Sequence, residues 1–273
     1  MSVLRSIHIY PIKATRGLDL DEAAVEARGL AHDRRWMLVD EAGVFLTQRE
    51  HARLALISAQ VGPGHLLVQA PSMKPLTVPI PNHDARRLPV QIWKNTVIAA
   101  EAAPTAHAWF SRYLDSPCRL VYMDEAAVRP VDPAYDTGGA EVSFADGYPL
   151  LLTSEASLAD LNARLDTPVP MTRFRPNLVV SGFEAFAEDG WSRLRVGAVS
   201  FHVVKPCERC VVPTIDQQTA VQGKEPLRTL NRFRKQGGKV LFGENLIAEG
   251  PGVVRVGDPV EVMAWRTHAV SIG

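Results

Sequence analysis

Short apolar runs that alternate with polar residues, each broken by a turn signal, recur through the first hundred residues. That pattern confines the region to half-buried strands packed as a barrel or a sandwich. VLRSIHIY, residues 3–10, alternates, Pro11 stops it and Gly17 marks a turn. VEARGLAHDRRWMLVDEAGVFLTQRE reads as strand, turn, strand, turn, strand, with breaks at Arg28-Gly29 and at Glu41-Ala42-Gly43. LALISAQVGPGHLLVQA predicts a hairpin with Gly62-Pro63-Gly64 at its tip, and LTVPI and LPVQIWKNTVIAA add further strands.

The period then changes. Ala106, Trp109, Phe110, Tyr113 and Leu114 share one helical face, and Pro104 suits a first turn. Residues 124–147, rich in Pro, Gly and Asp, predict a long surface loop, and loops of that length are often functional. SEASLADLNARL predicts a helix capped by Ser154, with Glu155 in its first turn. NLVVSG, WSRLRVGAVSFHVV and VVRVGDPVEVMAW read as strands, and LRTLNRFRK as a short basic helix.

The 273 residues suffice for two cores. Thirty basic residues balance thirty acidic ones, so there is no global footprint for a nucleic acid polymer or an anionic membrane. No apolar run reaches eighteen residues, and the N-terminus lacks a signal core; a cytoplasmic chain without a membrane span is expected. Three cysteines, an odd number, argue against a disulfide framework.

Two of those cysteines stand in VVKPCERCVV. Structural zinc wants four Cys or His ligands, and no second pair has zinc spacing. A thioredoxin-like pair opens a helix, whereas Val211, Val212 and Pro213 favour extended chain. Cys118 reads as packing. Lys205 and Arg209 flank Cys207, and nearby cations lower a thiol pKa. The expectation is therefore a reactive Cys207 in a partly polar setting and a buried Cys210. Lys13, the run His32-Asp33-Arg34-Arg35 and the run Thr172 to Asn177 sit at strand ends. Each alone reads as a solvated loop charge. Together with the helix N-terminus at Ser154 they would make an anion pocket.

Several segments resemble MOSC-domain proteins, the family of the mitochondrial amidoxime-reducing components and the bacterial YcbX-like proteins. IYPIKATRG, RGLAHDRRWMLVD and LTQRE resemble its N-terminal β-barrel. LLLTSEASLADLN, RFRPNLVVSG, KPCERCVVPTID, LFGENL and VRVGDPV resemble the MOSC domain. The resemblance implies a mixed α/β, β-rich chain. An N-terminal β-barrel domain with a connecting helix would span residues 1–122, and a MOSC-fold barrel with flanking helices residues 123–273.

It also implies a molybdenum cofactor, a metal on a pterin dithiolene (molybdopterin) with a terminal phosphate. Cys207 matches the position that ligates molybdenum, a role suited to a soft thiolate. Lys13, Arg34, Arg175 and Asn177 match pterin and phosphate contacts, as do Asp146, Thr153 and Ser154. Ala14 stands where relatives often carry a hydroxyl, which removes one hydrogen bond. Asp216 is implied as a polar group beside the ligand cysteine, with a plain turn-forming role as its alternative. The implied reaction is two-electron reduction of small N-hydroxylated compounds (amidoximes, hydroxylamines, N-hydroxylated bases) to amines. The rival is a sulfur carrier or a cofactor-delivery protein using Cys207 without turnover. A [2Fe–2S] cluster needs four cysteines, so no iron–sulfur cluster is expected. Electrons would come from a separate donor protein, a ferredoxin, a flavodoxin or a cytochrome b5-like protein with its reductase. The membrane anchor of the mitochondrial relatives is not expected.

Overall fold

Alternation in the sequence becomes alternation of burial. Arg87–Ile92 points Leu88, Val90 and Ile92 inward and the residues between them outward, as a strand with one covered face must. The computed structural model describes residues 1–267, so the last six residues of the expected second domain lie outside the described residues. The chain begins with β1 (Val3–Ile9), β2 (Leu18–Leu20), β3 (Glu22–Glu26), β4 (Gly29–Leu30) and β5 (Trp36–Val39). Then come β6 (Ser58–Gly62), β7 (His65–Gln69), β8 (Leu76–Pro79), β9 (Arg87–Ile92) and β10 (Asn95–Glu101). Helix α1 (Pro104–Leu114) leads to β11 (Arg119–Tyr122). After a long loop follow β12 (Leu150–Ser154), α2 (Glu155–Asn162), β13 (Leu178–Ser181), β14 (Trp191–Val196) and β15 (Val199–Glu208). The chain closes with α3 (Leu227–Phe233), β16 (Lys235–Gln236), β17 (Lys239–Ala248), β18 (Gly252–Arg255) and β19 (Val260–Trp265).

A nine-stranded sheet runs β19-β14-β15-β17-β12-β13-β1-β2, with β16 paired to β17. Among the described residues only the β12–β13 pair is parallel within it, and α2 makes the crossover that parallel strands require. Leu4, Ile7, Leu152, Leu178, Trp191, Phe201 and Leu246 fill its core. A second core gathers under α1, where Phe110 and Tyr113 meet Trp36, Leu38 and Leu120. Strands β1 and β2 join the sheet built by the second half, and β3 pairs with β18. The two halves are therefore stitched together by backbone hydrogen bonds.

The helices over 104–114, 155–162 and 227–233 and most expected strands form. Three local expectations change. VFLTQRE is not a strand; it makes only isolated bridges, Val39 to Phe45 and Val44 to Gln91. The chain after the CxxC does not stay extended but closes a short 3-10 turn at Val212–Thr214. Ser154 stands at the N-cap of α2, yet its hydroxyl makes no cap bond and is buried without a partner among the described residues.

The loop over 124–147 is a loop, but its second half is drawn inside. Val142, Ser143, Phe144 and Ala145 are buried. The buried Arg129 holds this stretch by donating to the carbonyls of Ser143 (2.8 Å), Ala145 (2.5 Å) and Asp146 (2.7 Å). Gly29 supports the next residues from below. Its φ is +107°, and a Cβ there would stand 2.5 Å from the Pro149 carbonyl oxygen. Gly29→Ala is expected to lower unfolding free energy by about 1–3 kcal/mol through strain and that clash; urea denaturation of both proteins measures it.

Candidate active site

Strand ends and loops converge on one cleft with about 910 Å³ of empty space, open solvent at its mouth included. Lys13, Arg34, Asp146, Arg175, Asn177 and Cys207 all line it. They come from five separate stretches of chain, so the fold and not the local sequence brings them together.

The floor is a knot of buried polar groups. Asp33 is fully buried and accepts the Tyr10 backbone N–H (2.8 Å) and Nη1 of Arg34 (2.5 Å). The same Arg34 nitrogen donates to Oδ1 of Asn177 (2.9 Å), which also accepts the Leu151 N–H (3.1 Å). The Asn177 amide donates in turn to the His8 carbonyl (3.1 Å). Two guanidinium groups lie over the Tyr10 ring, Arg34 at 4.2 Å and Arg175 at 4.1 Å from its centroid. Cation–π attraction to this one ring fixes where the arginines point. Nη1 of Arg175 donates to the Thr15 carbonyl (2.6 Å). Ala14, Arg34 and Arg175 all carry left-handed backbone, with φ of 67°, 49° and 56°. Three such residues around one cleft are a mark of a functional site.

Charge in the cleft is lopsided. Among the described residues its lining carries Lys13, Arg34, Arg49, Arg173, Arg175 and Arg209 against two carboxylates, Asp146 and Glu208. Glu208 is held by Lys205 (3.0 Å) and Lys239 (2.6 Å). Lys13 is buried, and it donates to the Phe144 carbonyl (2.9 Å) and to Asp146 (2.5 Å). Burial pulls its pKa down while Asp146 pulls it back up. Desolvation by the cleft walls raises the pKa of the solvent-exposed Asp146, but attraction to Lys13, Arg34 and Arg49 outweighs it and holds the carboxyl below the usual range. Burial brings Arg175 down to about 10, still cationic near neutral pH.

The cysteine expectations are corrected. Cys207 is half-buried and Cys210 is the exposed one. The pairing of β15 with β17 slips between Pro206 and Glu208, so the alternation that would assign inward and outward faces breaks at Cys207. The Cys207 thiol is pushed up, not down. Burial is the main cause, and Asp146, Glu244 and Cys210 add to it against the pull of Arg209.

Three expected site residues do not line the cleft. Thr153 donates its hydroxyl to the Met171 sulfur (3.2 Å), and Ser154 is buried beyond it. They close β12, about 10 and 13 Å along the strand from Leu150 at about 3.3 Å per residue, and neither they nor the α2 N-terminus belong to the cleft lining. Asp216 takes the turn-forming role. It accepts the N–H groups of Gln218 and Thr219 (2.9 Å each) and Nη2 of Arg173 (2.8 Å). Those backbone donors, Gln218 first, hold its carboxyl low. Of HDRR only Arg34 lines the cleft; Arg35 turns to Met123 and Glu125. Residue-level reading missed Thr47, Gln48 and Arg49 of LTQRE, which carry no period and no paired charge that would single them out.

With this geometry in view, known families can be compared. The MOSC N-terminal beta barrel domain matches residues 1–117, and the MOSC domain matches residues 139–261. The human mitochondrial amidoxime-reducing component 1 is 34% identical over 282 residues, covering 96% of this chain and 83% of that protein. The rat mitochondrial amidoxime reducing component 2 is 38% identical over 285 residues, covering 95% and 83%. The chain belongs to the MOSC-domain family. Within that family it keeps the two-part, β-dominated architecture that the segments resembled.

Burial raises the Tyr10 phenol to about 12. Its neutral form stabilises the fold fully below the ordinary tyrosine value of about 10, and that contribution is lost as pH rises through about 12. Urea midpoints across this alkaline window are expected to fall less steeply in Tyr10→Phe than in the wild type.

Proposed function

We propose that this chain is a molybdenum-cofactor-dependent reductase of N-hydroxylated compounds. The observation that carries the reading is a half-buried thiol, Cys207, in a cleft with a surplus of cations. Its donor set fits the group: one soft sulfur for the metal, and fixed guanidinium groups for an anionic pterin phosphate. The names of the relatives, amidoxime-reducing components, support the substrate class. When bound, the cofactor supplies a two-electron metal centre for R–NHOH + 2 e⁻ + 2 H⁺ → R–NH₂ + H₂O.

The protein's part is to bind, orient and bias the field. Arg34 and Arg175, preset by Tyr10, bind the anionic end without rearranging. The Lys13–Asp146 pair presents a carboxylate to the cleft, its side chain 73% exposed, beside a buried ammonium. Cys207 holds the metal; a coordinating thiol is deprotonated outright, so its raised free pKa is no obstacle. Cys210 does not ligate. A sulfur carrier presents an accessible thiol to its acceptor, which suits half-buried Cys207 poorly. A separate carrier protein supplies the electrons, and the expected setting is the cytoplasm.

Protein made in a host that synthesises the cofactor is expected to hold molybdenum stoichiometrically and to release a fluorescent oxidised pterin. A chain without molybdenum sinks the reading. Cys207→Ala should lose benzamidoxime reduction with dithionite-reduced methyl viologen, while Cys210→Ala should keep it within a few-fold. Equal loss from both would contradict the division of roles. Lys13→Ala combined with Arg175→Ala should release the pterin during gel filtration, and retention of it would remove the anion-site assignment.

A further inference from the structure

A second hollow opens beside the cleft and shares Glu208 and Arg209 with it. It lies between α3, the Val212–Thr214 turn and the β16–β17 hairpin, with about 1120 Å³ of empty space open to solvent. Val211, Leu227 and Val240 give it apolar lining. Lys224, Arg228 and Lys239 give it charge.

The charge is concentrated here, in a chain that is neutral as a whole. Residues 224–239 hold six Lys and Arg and a single acid, Glu225. Arg234 turns inward to Asp189 (2.7 Å). Lys224, Arg228, Arg232, Lys235 and Lys239 are exposed. Glu225 answers Arg228 (2.6 Å) and Glu208 answers Lys239 (2.6 Å). Among the described residues, Lys224, Arg232 and Lys235 have no carboxylate partner. A basic segment alone is usually a solvated face. Here Lys224, Arg228 and Lys239 line an apolar hollow, Arg232 and Lys235 stand next in chain to its borders on α3 and β16, and the hollow has two residues in common with the wall of the candidate active site.

We propose that this hollow is the docking face for an acidic one-electron carrier protein. The inference rests on the reductase reading. Each N–O cleavage consumes two electrons and two protons, so a one-electron carrier docks twice per turnover and leaves oxidised by one electron each time. Repeated docking calls for a short-lived complex. Small electron-transfer interfaces, often below about 1,200 Å², have this character. Charge complementarity there speeds encounter more than it tightens the complex. The carrier's carboxylates meet Lys224, Arg232 and Lys235. Its redox group then lies against Glu208 and Arg209, the residues that also line the Cys207 cleft.

The test uses the full chain and an acidic plant-type [2Fe–2S] ferredoxin as the probe. The variant Lys224→Glu/Arg232→Glu/Lys235→Glu leaves the cleft lining untouched and spares Arg228, whose partner Glu225 also accepts the Thr229 N–H at the start of α3 (3.0 Å). Circular dichroism and the thermal midpoint check its folding, and Lys224→Glu alone serves if the triple variant is unstable. By calorimetry at low ionic strength the wild type binds ferredoxin, salt weakens the binding, and the triple variant binds at least ~10-fold more weakly. With ferredoxin and its reductase the variant loses at least ~10-fold in kcat/KM for the carrier, while turnover with methyl viologen is unchanged. No wild-type binding, equal binding by the variant, or tighter binding of a single-stranded oligonucleotide overturns the proposal. Failure of the reductase reading shows separately, as no methyl viologen turnover in either protein, with the binding arm still standing.

Discussion

A buried carboxylate holds the cleft together. Asp33 has no exposure, and a charge in that position is tolerable only when it is paired and hydrogen-bonded. Its partners are the Tyr10 N–H at the end of β1 and the Arg34 guanidinium. Through Arg34 the pairing reaches Asn177, and through Asn177 it reaches β12 and the backbone of β1. Loss of either charge strands the other in low dielectric, so the cleft floor and the seam between the strands stand or fall together.

The same network explains why strained backbone persists. Left-handed conformation costs a non-glycine residue energy, yet Ala14, Arg34 and Arg175 all adopt it. In each arginine the surroundings fix both ends. The backbone is locked by neighbouring hydrogen bonds, from Arg34 N–H to the Tyr10 carbonyl and from Arg175 N–H to the Thr172 carbonyl. The guanidinium is locked over the shared tyrosine ring. An anion arriving there meets donors that have already given up their rotamer freedom, which is how preorganised sites bind strongly.

Local periodicity made α1 and the β6–β7 hairpin legible, because each depends on contacts only a few residues away, whereas WSRLRVGAVSFHVV, read as one strand, folds into the β14–β15 hairpin at Gly197. Lys13, Arg34, Arg175 and Asn177 were legible as strand-end polar residues and through the family resemblance, but not their convergence. Face assignment failed where the ladder is irregular. The register slip beside Cys207 breaks the alternation there, and Cys210, expected buried, is exposed just past the end of β15; no composition around CERC announces either. Thr153 and Ser154 sit on a strand buried on both sides, where sequence does not tell which end meets the cleft. Arg49 lies on a segment held by isolated bridges, without a pattern to find.

The stitching of the two halves also sets an order of events during synthesis. β1 finds its partner β13 only after about 170 further residues have been made, and β3 waits for β18. The β6–β7–β8 meander and the helix-capped second core close early from nearby chain. A nascent N-terminal half on the ribosome therefore carries Lys13 and Arg34 but neither Asn177 nor Cys207. The cleft comes into being near the end of translation, and a chain released early has no place to hold its ligand.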